Sequence, residues 1–121
     1  MLGMQTKQAI AALSALAQET RLAIFRLLVQ CGPEGMPAGA IAEALGVPAS
    51  SLSFHLAQLS HAKLIVQRRA SRQIIYSADF SSMNALMGYL TENCCGGSAA
   101  TCVPAPAAVK APASAPKRRS A

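Results

Sequence analysis

Two short amphipathic segments lie in the middle of the chain, at residues 38–45 and 49–60, and only Gly46-Val47-Pro48 separates them. The apolar residues of each segment recur three and four positions apart, which is the spacing of a helix with one buried face. Glycine and proline stop the first helix, and a short turn joins it to the second. This pattern predicts a helix-turn-helix, whose second helix can enter the major groove of DNA.

A basic hairpin is predicted directly after these helices. Residues 64–69 and 73–78 are rich in β-branched residues and flank Ala70-Ser71, as two strands flank a turn. Residues 50–76 contain no aspartate or glutamate. Three arginines lie near the tip of the hairpin: Arg68, Arg69 and Arg72. A cationic loop beside the helix that enters the major groove, here called the reading helix, can reach phosphates or the minor groove, so the hairpin is interpreted as a wing. The alternative is that the arginines protect an exposed strand edge.

Three further helices complete the predicted fold. Apolar stripes predict helices at residues 4–17 and 20–31, and Gly32-Pro33 ends the second of them. A last helix begins after Asp79, a residue suited to cap it, and stops before Cys94. The predicted order is four helices, two strands and a final helix, which is a mainly α-helical winged helix-turn-helix with a β-hairpin wing.

The chain is short and basic, with 121 residues and a formal net charge of +6. Residues 1–93 are expected to form one domain, and so small a core favours a partner subunit that buries more apolar surface. Residues 103–121 are rich in alanine and proline and contain no acid, so we expect a disordered basic tail. Nonspecific binding of this segment to DNA phosphates is the alternative. The sequence has no apolar run long enough for a membrane span and no signal peptide, which predicts a soluble, cytoplasmic protein.

The motifs of several enzyme classes are missing from the sequence. There is no GxxxxGK[ST], no GxGxxG after a predicted strand, no HExxH and no pair of carboxylates suited to acid-base chemistry. The sequence therefore predicts a binding protein with no catalytic activity and no catalytic cofactor.

The second helix of the predicted helix-turn-helix has two different faces. Leu52, Leu56 and Leu59 recur at helical spacing and are expected to face the core. Serines at a helix start are also common caps, and His55, beside Leu56, is equally consistent with a packing histidine. The candidates for contact with DNA are the hydrogen-bonding side chains of this helix: Ser50, Ser51, Ser53, His55 and Gln58.

Two stretches of the sequence carry a resemblance to a known family: ALAQETRLAIFRLL at residues 15–28 and GVPASSLSFHLAQLSHAKLIVQRRASRQIIYSAD at residues 46–79. Both resemble the ArsR/SmtB family of metal-responsive repressors, and the resemblance covers most of residues 7–93. It implies a winged-helix homodimer that pairs through its first and last helices and represses transcription by occupying operator DNA.

Three positions depart from the pattern of that family. Pro48 stands where a capping serine is usual, and Phe54 stands where an arginine commonly precedes the histidine. Lys63 replaces the glycine that normally ends the helix, so Lys63 is expected to take a positive φ.

The first and last helices carry more apolar residues than so small a core needs, which fits the pairing that the resemblance implies. Part of each stripe is expected to serve the core of the chain itself. The residues of the two stripes are Ile10, Leu13 and Leu16 and, on the last helix, Met83, Leu86, Met87 and Leu90. Cys31, which ends another apolar stripe, is predicted to be a small buried residue.

Three cysteines, Cys94, Cys95 and Cys102, fall within nine residues after the last helix. Three thiolates without a fourth ligand suit a soft ion that accepts three sulfurs, As(III) or Sb(III), whereas structural zinc takes four ligands. Residues 96–101 are long enough to return Cys102 to the adjacent pair. Cadmium, lead or bismuth at the same sulfurs, and a redox pair that includes Cys102, are the alternatives.

The sensing ligands of the family, as the resemblance implies them, are absent. Residues 36–46 hold no Cys-x-Cys, and Ser81 stands where a zinc site on the last helix needs histidine. The sequence therefore predicts an arsenite-responsive repressor that binds operator DNA as a metal-free homodimer and is released when As(III) or Sb(III) binds its three thiolates. A repressor that responds to thiol oxidation or to another soft metal and, outside DNA binding, an arsenite metallochaperone are the alternatives.

Overall fold

The computed structural model describes residues 4–97, and its elements are those of a winged helix-turn-helix. In chain order they are α1 (Thr6–Leu16), α2 (Glu19–Cys31), β1 (Met36–Pro37), α3 (Ala38–Leu45), α4 (Ala49–His61), β2 (Ile65–Ala70), β3 (Gln73–Ala78) and α5 (Phe80–Leu90). The predicted mainly helical fold with its β-hairpin wing is confirmed. The short strand β1 is an addition that the sequence pattern does not predict.

The chain divides after Leu90 into two compact units. The second unit begins at Thr91, and its described residues, 91–97, include a 3₁₀ turn at Cys94–Gly97. Cys102 and the predicted tail lie outside the described residues. Between residues 4 and 97, the helices are all too short or too polar to cross a membrane.

Three antiparallel strands form a small sheet in the order β1-β3-β2. The hairpin of β2 and β3 turns at Ser71-Arg72, and β1 extends the sheet by placing Met36 opposite Tyr76. Gly35, which precedes β1, has a φ of +74°, and a Cβ at this position would overlap the carbonyl oxygen of Tyr76. Glycine is therefore needed for the loop after α2 to approach β3.

Two predictions about helix ends are confirmed. The Asp79 carboxylate accepts a hydrogen bond from the Ser82 N–H at 3.0 Å and so caps the start of α5. Lys63, which follows α4, has a φ of 66°, the left-handed conformation that glycine adopts more easily. Both features depend on residues that are close in sequence.

The core draws its buried side chains from all five helices and from the hairpin. α1 contributes only alanines among its buried residues, and α5 contributes Leu86. The largest fully buried side chains are Ile24, Leu28, Ile41, Leu52, Leu59 and Leu64. α4 is thus fixed in the middle of the core, and α1 and α5 pack with smaller buried faces.

Large apolar side chains lie on the outside of α1 and α5. Leu16 and Met83 are half-buried, and the two helices contact each other where Thr6 Oγ1 lies 2.6 Å from the Tyr89 hydroxyl. The most exposed members of the two stripes, with the exposed fraction of each residue, are Ile10 (59%), Leu13 (42%), Met87 (56%) and Leu90 (54%). The predicted surplus of apolar surface on these helices is therefore present.

Cys31 contradicts its prediction. The residue is exposed rather than buried, and its thiol donates a hydrogen bond to the Gly35 carbonyl oxygen at 3.3 Å. Cys31 is the last residue of α2, and the chain turns away at Gly32, where φ is 87°. Because α2 ends here, no further turn of helix covers the thiol. The apolar periodicity of α2 predicts which face is buried but not that the burial stops at its last residue.

Candidate DNA-binding interface

The turn between α3 and α4 positions the reading helix. Gly46 ends α3 in the left-handed conformation, with φ 66° and ψ 34°, and the Val47 N–H donates to the Ala42 carbonyl oxygen at 3.1 Å. Pro48 follows in an extended conformation and is the N-cap of α4. The glycine reverses the chain and the proline starts the next helix, so the spacing of these residues accounts for the tight turn.

The two faces of α4 divide as the sequence predicts. Leu52, Leu56 and Leu59 are buried in the core. The side chains of Ser50, Ser51, Ser53 and Gln58 are exposed, whereas His55 is half-buried. Because Pro48 occupies the cap position, neither Ser50 nor Ser51 is the cap residue, and both lie in the first turn, where side chains and backbone N–H groups can approach a phosphate or a base edge.

His55 joins the reading helix to the rest of the domain. The Arg21 Nε–H donates to the Ala15 carbonyl oxygen at 2.7 Å, and Arg21 Nη1 lies 3.4 Å from His55 Nδ1. A guanidinium has only donors, so Nδ1 acts as the acceptor in this contact and the proton of a neutral His55 lies on Nε2. The side chain of Arg21 therefore connects the end of α1 to α4, and His55 combines a positioning contact with a remaining donor.

Arg21 was not among the residues that the sequence singled out. Its signal is weak, because one arginine near the start of an amphipathic helix is usually a solvated charge. The contact that gives Arg21 its role joins residues 34 positions apart, and only the packing of α2 against α4 brings them together.

The wing arginines are placed differently from one another. The guanidinium of Arg68 donates from Nη2 to the Glu34 carbonyl oxygen at 2.7 Å, which ties the wing to the loop before β1. Arg69 and Arg72 are exposed on the strand and at the tip of the hairpin. These two are therefore the wing side chains best placed to reach phosphates, and Arg68 serves in part to hold the wing in place.

Cys94 and Cys95 are the thiols of the second unit within the described residues. Cys94 Sγ and Cys95 Sγ lie 3.4 Å apart, and the Cys94 N–H donates to the Thr91 carbonyl oxygen at 2.9 Å. Cys95 has a φ of 58° and Gly96 a φ of 68°, so the chain turns tightly at the pair. Within residues 4–97, no group of three or more His, Cys, Asp or Glu side chains could hold a metal ion. The predicted third ligand, Cys102, lies outside these residues.

Comparisons with known proteins agree with this geometry. The helix-turn-helix domain family matches residues 16–68. The HTH-type transcriptional regulator YgaV of Escherichia coli (strain K12) is 34% identical over 89 residues, which is 74% of this chain and 88% of YgaV. The nodulation protein NolR of Rhizobium meliloti is 36% identical over 80 residues, which is 66% of this chain but only 63% of NolR.

Solved structures extend the likeness to the fold. The NolR structure from Sinorhizobium fredii has a TM-score of 0.58 and 34% identity, over 76% of this chain and 95% of that one. An ArsR-like transcriptional regulator from Rhodococcus sp. RHA1 has a TM-score of 0.63 and 26% identity, over 69% and 76% of the two chains. The homodimeric winged helix-turn-helix domain of Mb0332 from Mycobacterium bovis has a TM-score of 0.57 and 26% identity, over 77% and 92%. From its fold and these relatives, the chain belongs to the ArsR family of winged helix-turn-helix, DNA-binding transcriptional regulators.

Proposed function

We propose that this regulator is an arsenite-responsive repressor. As a homodimer without metalloid it binds operator DNA, and it is released when As(III) or Sb(III) is captured by Cys94, Cys95 and Cys102. The observation that carries the proposal is the distance of 3.4 Å between the sulfurs of Cys94 and Cys95. DNA contact is assigned to the exposed face of α4 and to the wing arginines.

The sulfur separation suits two ligands of one ion. Metal-thiolate bonds of about 2.3 Å that meet at roughly 90° to 110° place their sulfurs about 3.3 to 3.8 Å apart. The observed 3.4 Å falls in this range. A disulfide bond would need about 2.05 Å, and one between adjacent cysteines is strained, so shared coordination is the more favourable use of the pair.

The third sulfur selects the kind of ion. Cys102 follows Cys95 after six small residues, whose extended length of roughly 20 Å allows the chain to fold back. Three sulfurs satisfy trivalent arsenic: As(OH)3 reacts with three thiols, forms three As–S bonds in place of its three As–O bonds, and the thiol protons leave with the hydroxyl groups as three water molecules. Zinc would require a fourth ligand.

The homodimer is supported by the apolar surface of α1 and α5. Ile10, Leu13, Met87 and Leu90 lie on two helices that contact each other, and each is about half exposed, so burying the rest of each side chain contributes about 0.6 to 1.8 kcal/mol. The Mb0332 domain of similar fold is homodimeric. Pairing through these helices would set the distance between the two copies of α4, as half-site recognition requires.

Release of DNA requires that the ion favour a dimer that binds DNA less well. Cys94 follows the last residue of α5 by four positions in the chain, so coordination is close in sequence to a helix of the proposed dimer surface. A coupling free energy of about 1 to 3 kcal/mol would lower the affinity for DNA about 5- to 150-fold.

The test uses a duplex selected in vitro from random sequences by the full-length protein. Binding is followed by fluorescence anisotropy at fixed salt, and bound arsenic is measured by mass spectrometry. We expect one arsenic atom bound per chain and an affinity for DNA that is lowered about 5- to 150-fold. Simultaneous replacement C94S, C95S and C102S should preserve DNA binding and abolish release, whereas Cys31→Ser should respond as the wild type does.

A thiol-redox repressor is the second candidate, and the exposure of the Cys31 thiol favours it. In that case peroxide would release DNA, arsenite would not, and Cys31→Ser would weaken the response. A metallochaperone would instead bind arsenite without any salt-dependent affinity for DNA. If arsenite released the triple serine variant from the DNA duplex, the arsenite proposal would be contradicted.

A further inference from the structure

Phe54 is a large apolar side chain at the centre of the exposed face of α4. The residue is 57% exposed. Ser50 lies four positions before it and Gln58 four positions after it, so both are its neighbours on the helix surface. A phenyl ring therefore stands in the middle of a face whose other candidate contacts are hydroxyl and amide groups.

The ring does not serve the core of the domain. The core side of α4 is occupied by Leu52, Leu56 and Leu59. The aromatic contact of Phe54 within residues 4–97 is with the adjacent His55, edge to face, at 5.7 Å between ring centroids. Single exposed apolar residues are common on protein surfaces, but this ring stands on the face assigned to DNA, where an apolar group of the ligand could bury it and add stabilisation.

The surroundings of Phe54 point to DNA rather than to a protein surface. An apolar protein partner would be matched by a contiguous apolar patch, but the flanking residues Ser50, Ser53 and Gln58 are polar. The sequence from Ser50 to Tyr76 also contains four basic residues and no acid. Polyanionic DNA is the partner that this balance of charge favours.

The thymine C5-methyl group is the apolar feature of the base edges in the major groove. A phenyl ring cannot donate or accept the hydrogen bonds that distinguish guanine, cytosine and adenine, but it can contact this methyl group. The small serines around Phe54 allow the helix to approach the bases closely enough for such contact. We infer that Phe54 is a specificity-determining residue, which reads the methyl group of a thymine in each half-site of the operator.

This inference rests on the proposed function only in that α4 reads DNA, and its test uses no arsenite. The duplex selected by the wild-type protein is remade as a series, in which each member carries deoxyuridine in place of thymine at one position, symmetrically in both half-sites. The replacement removes one methyl group and leaves base pairing unchanged. We expect one thymine position at which the change weakens wild-type binding about fourfold per half-site, or about 15-fold for both.

Variants of the protein assign the effect to its side chain. Phe54→Ala should bind the thymine duplex more weakly and should no longer distinguish thymine from deoxyuridine at that position. Arg69→Ala is the matched control, because loss of a phosphate contact should weaken binding to both duplexes and leave their affinity ratio unchanged. Circular dichroism verifies that each variant is folded, which the exposure of both side chains favours.

The outcomes separate the two proposals. If no duplex can be selected, DNA reading by α4 is wrong and the inference fails with it. If a duplex is bound specifically but no thymine is sensitive to loss of its methyl group, or if Phe54→Ala keeps that sensitivity, Phe54 does not read thymine and the proposed repressor function stands.

Discussion

α1 and α4 are helices of similar length, 11 and 13 residues, that use their apolar side chains in opposite ways. α4 buries three leucines and exposes serines and Gln58, with Phe54 as the one large apolar residue on its outer face. α1 buries three alanines and exposes Ile10 and Leu13. Both helices are amphipathic by periodicity, but the sizes of the residues on their two faces differ.

This difference fits the partner proposed for each face. Large side chains on the core side hold α4 firmly, so its outward face can present groups to DNA from a fixed position. Small side chains on the core side let α1 lie close to the core, and its larger residues remain for another surface. Periodicity identifies an amphipathic helix, and the sizes of the buried and exposed residues then distinguish the two helices.

The largest effect expected from this comparison is on subunit pairing. Leu13→Asp should weaken the free energy of dimerisation by about 3 to 6 kcal/mol for the two copies, because each copy would lose the burial of the exposed part of its leucine and would place a carboxylate in an apolar interface. Sedimentation equilibrium should then detect monomers at concentrations where the wild type is dimeric. Ala11→Asp, which introduces the same charge at an exposed position elsewhere on α1, is the control. An unchanged dimer in Leu13→Asp would remove the outward face of α1 from the interface.

A smaller effect is expected when a core leucine of α4 is truncated. Leu59 is fully buried, and Leu59→Ala should lower the free energy of unfolding by about 2 to 5 kcal/mol through lost burial and a residual cavity. Urea denaturation at a fixed protein concentration measures the change. Gln58→Ala, at the adjacent exposed position, should stay within about 0.5 kcal/mol of the wild type. Equal losses for the two variants would contradict the division of α4 into a packing face and a reading face.

The smallest effect tests the alanine face of α1. Ala12 is 1% exposed, and Ala12→Leu should destabilise the fold by about 1 to 3 kcal/mol, because the added atoms have no space in a packed core. Ala11→Leu adds the same atoms at an exposed position and should change stability little. If Ala12→Leu is as stable as the wild type in urea, the core beneath α1 has room for larger residues. Close packing would then not explain why the buried face of α1 consists of alanines.

Much of the fold followed from residues that are close in sequence. The Gly46-Val47-Pro48 turn, the Asp79 cap and the positive φ of Lys63 all depend on short-range sterics and hydrogen bonds, so their residue types predicted them. The candidate interface could be predicted as a set of exposed polar residues on α4. Its support by Arg21 could not be predicted, because that contact spans α2 and α4.

The sequence by itself determined the helices, the hairpin, the leucine face of α4 and the closeness of three cysteines along the chain. Only the tertiary structure decided that β1 joins the sheet beside Tyr76, that Arg68 is tied to Glu34 and that Cys31 is exposed. It also decided that the alanines of α1 are buried while Ile10 and Leu13 are exposed. The physical reason is the separation along the chain of the residues that interact. Periodicity, caps and turns are set within a few residues, whereas strand pairing, burial and side-chain partners depend on segments that only the folded chain brings together.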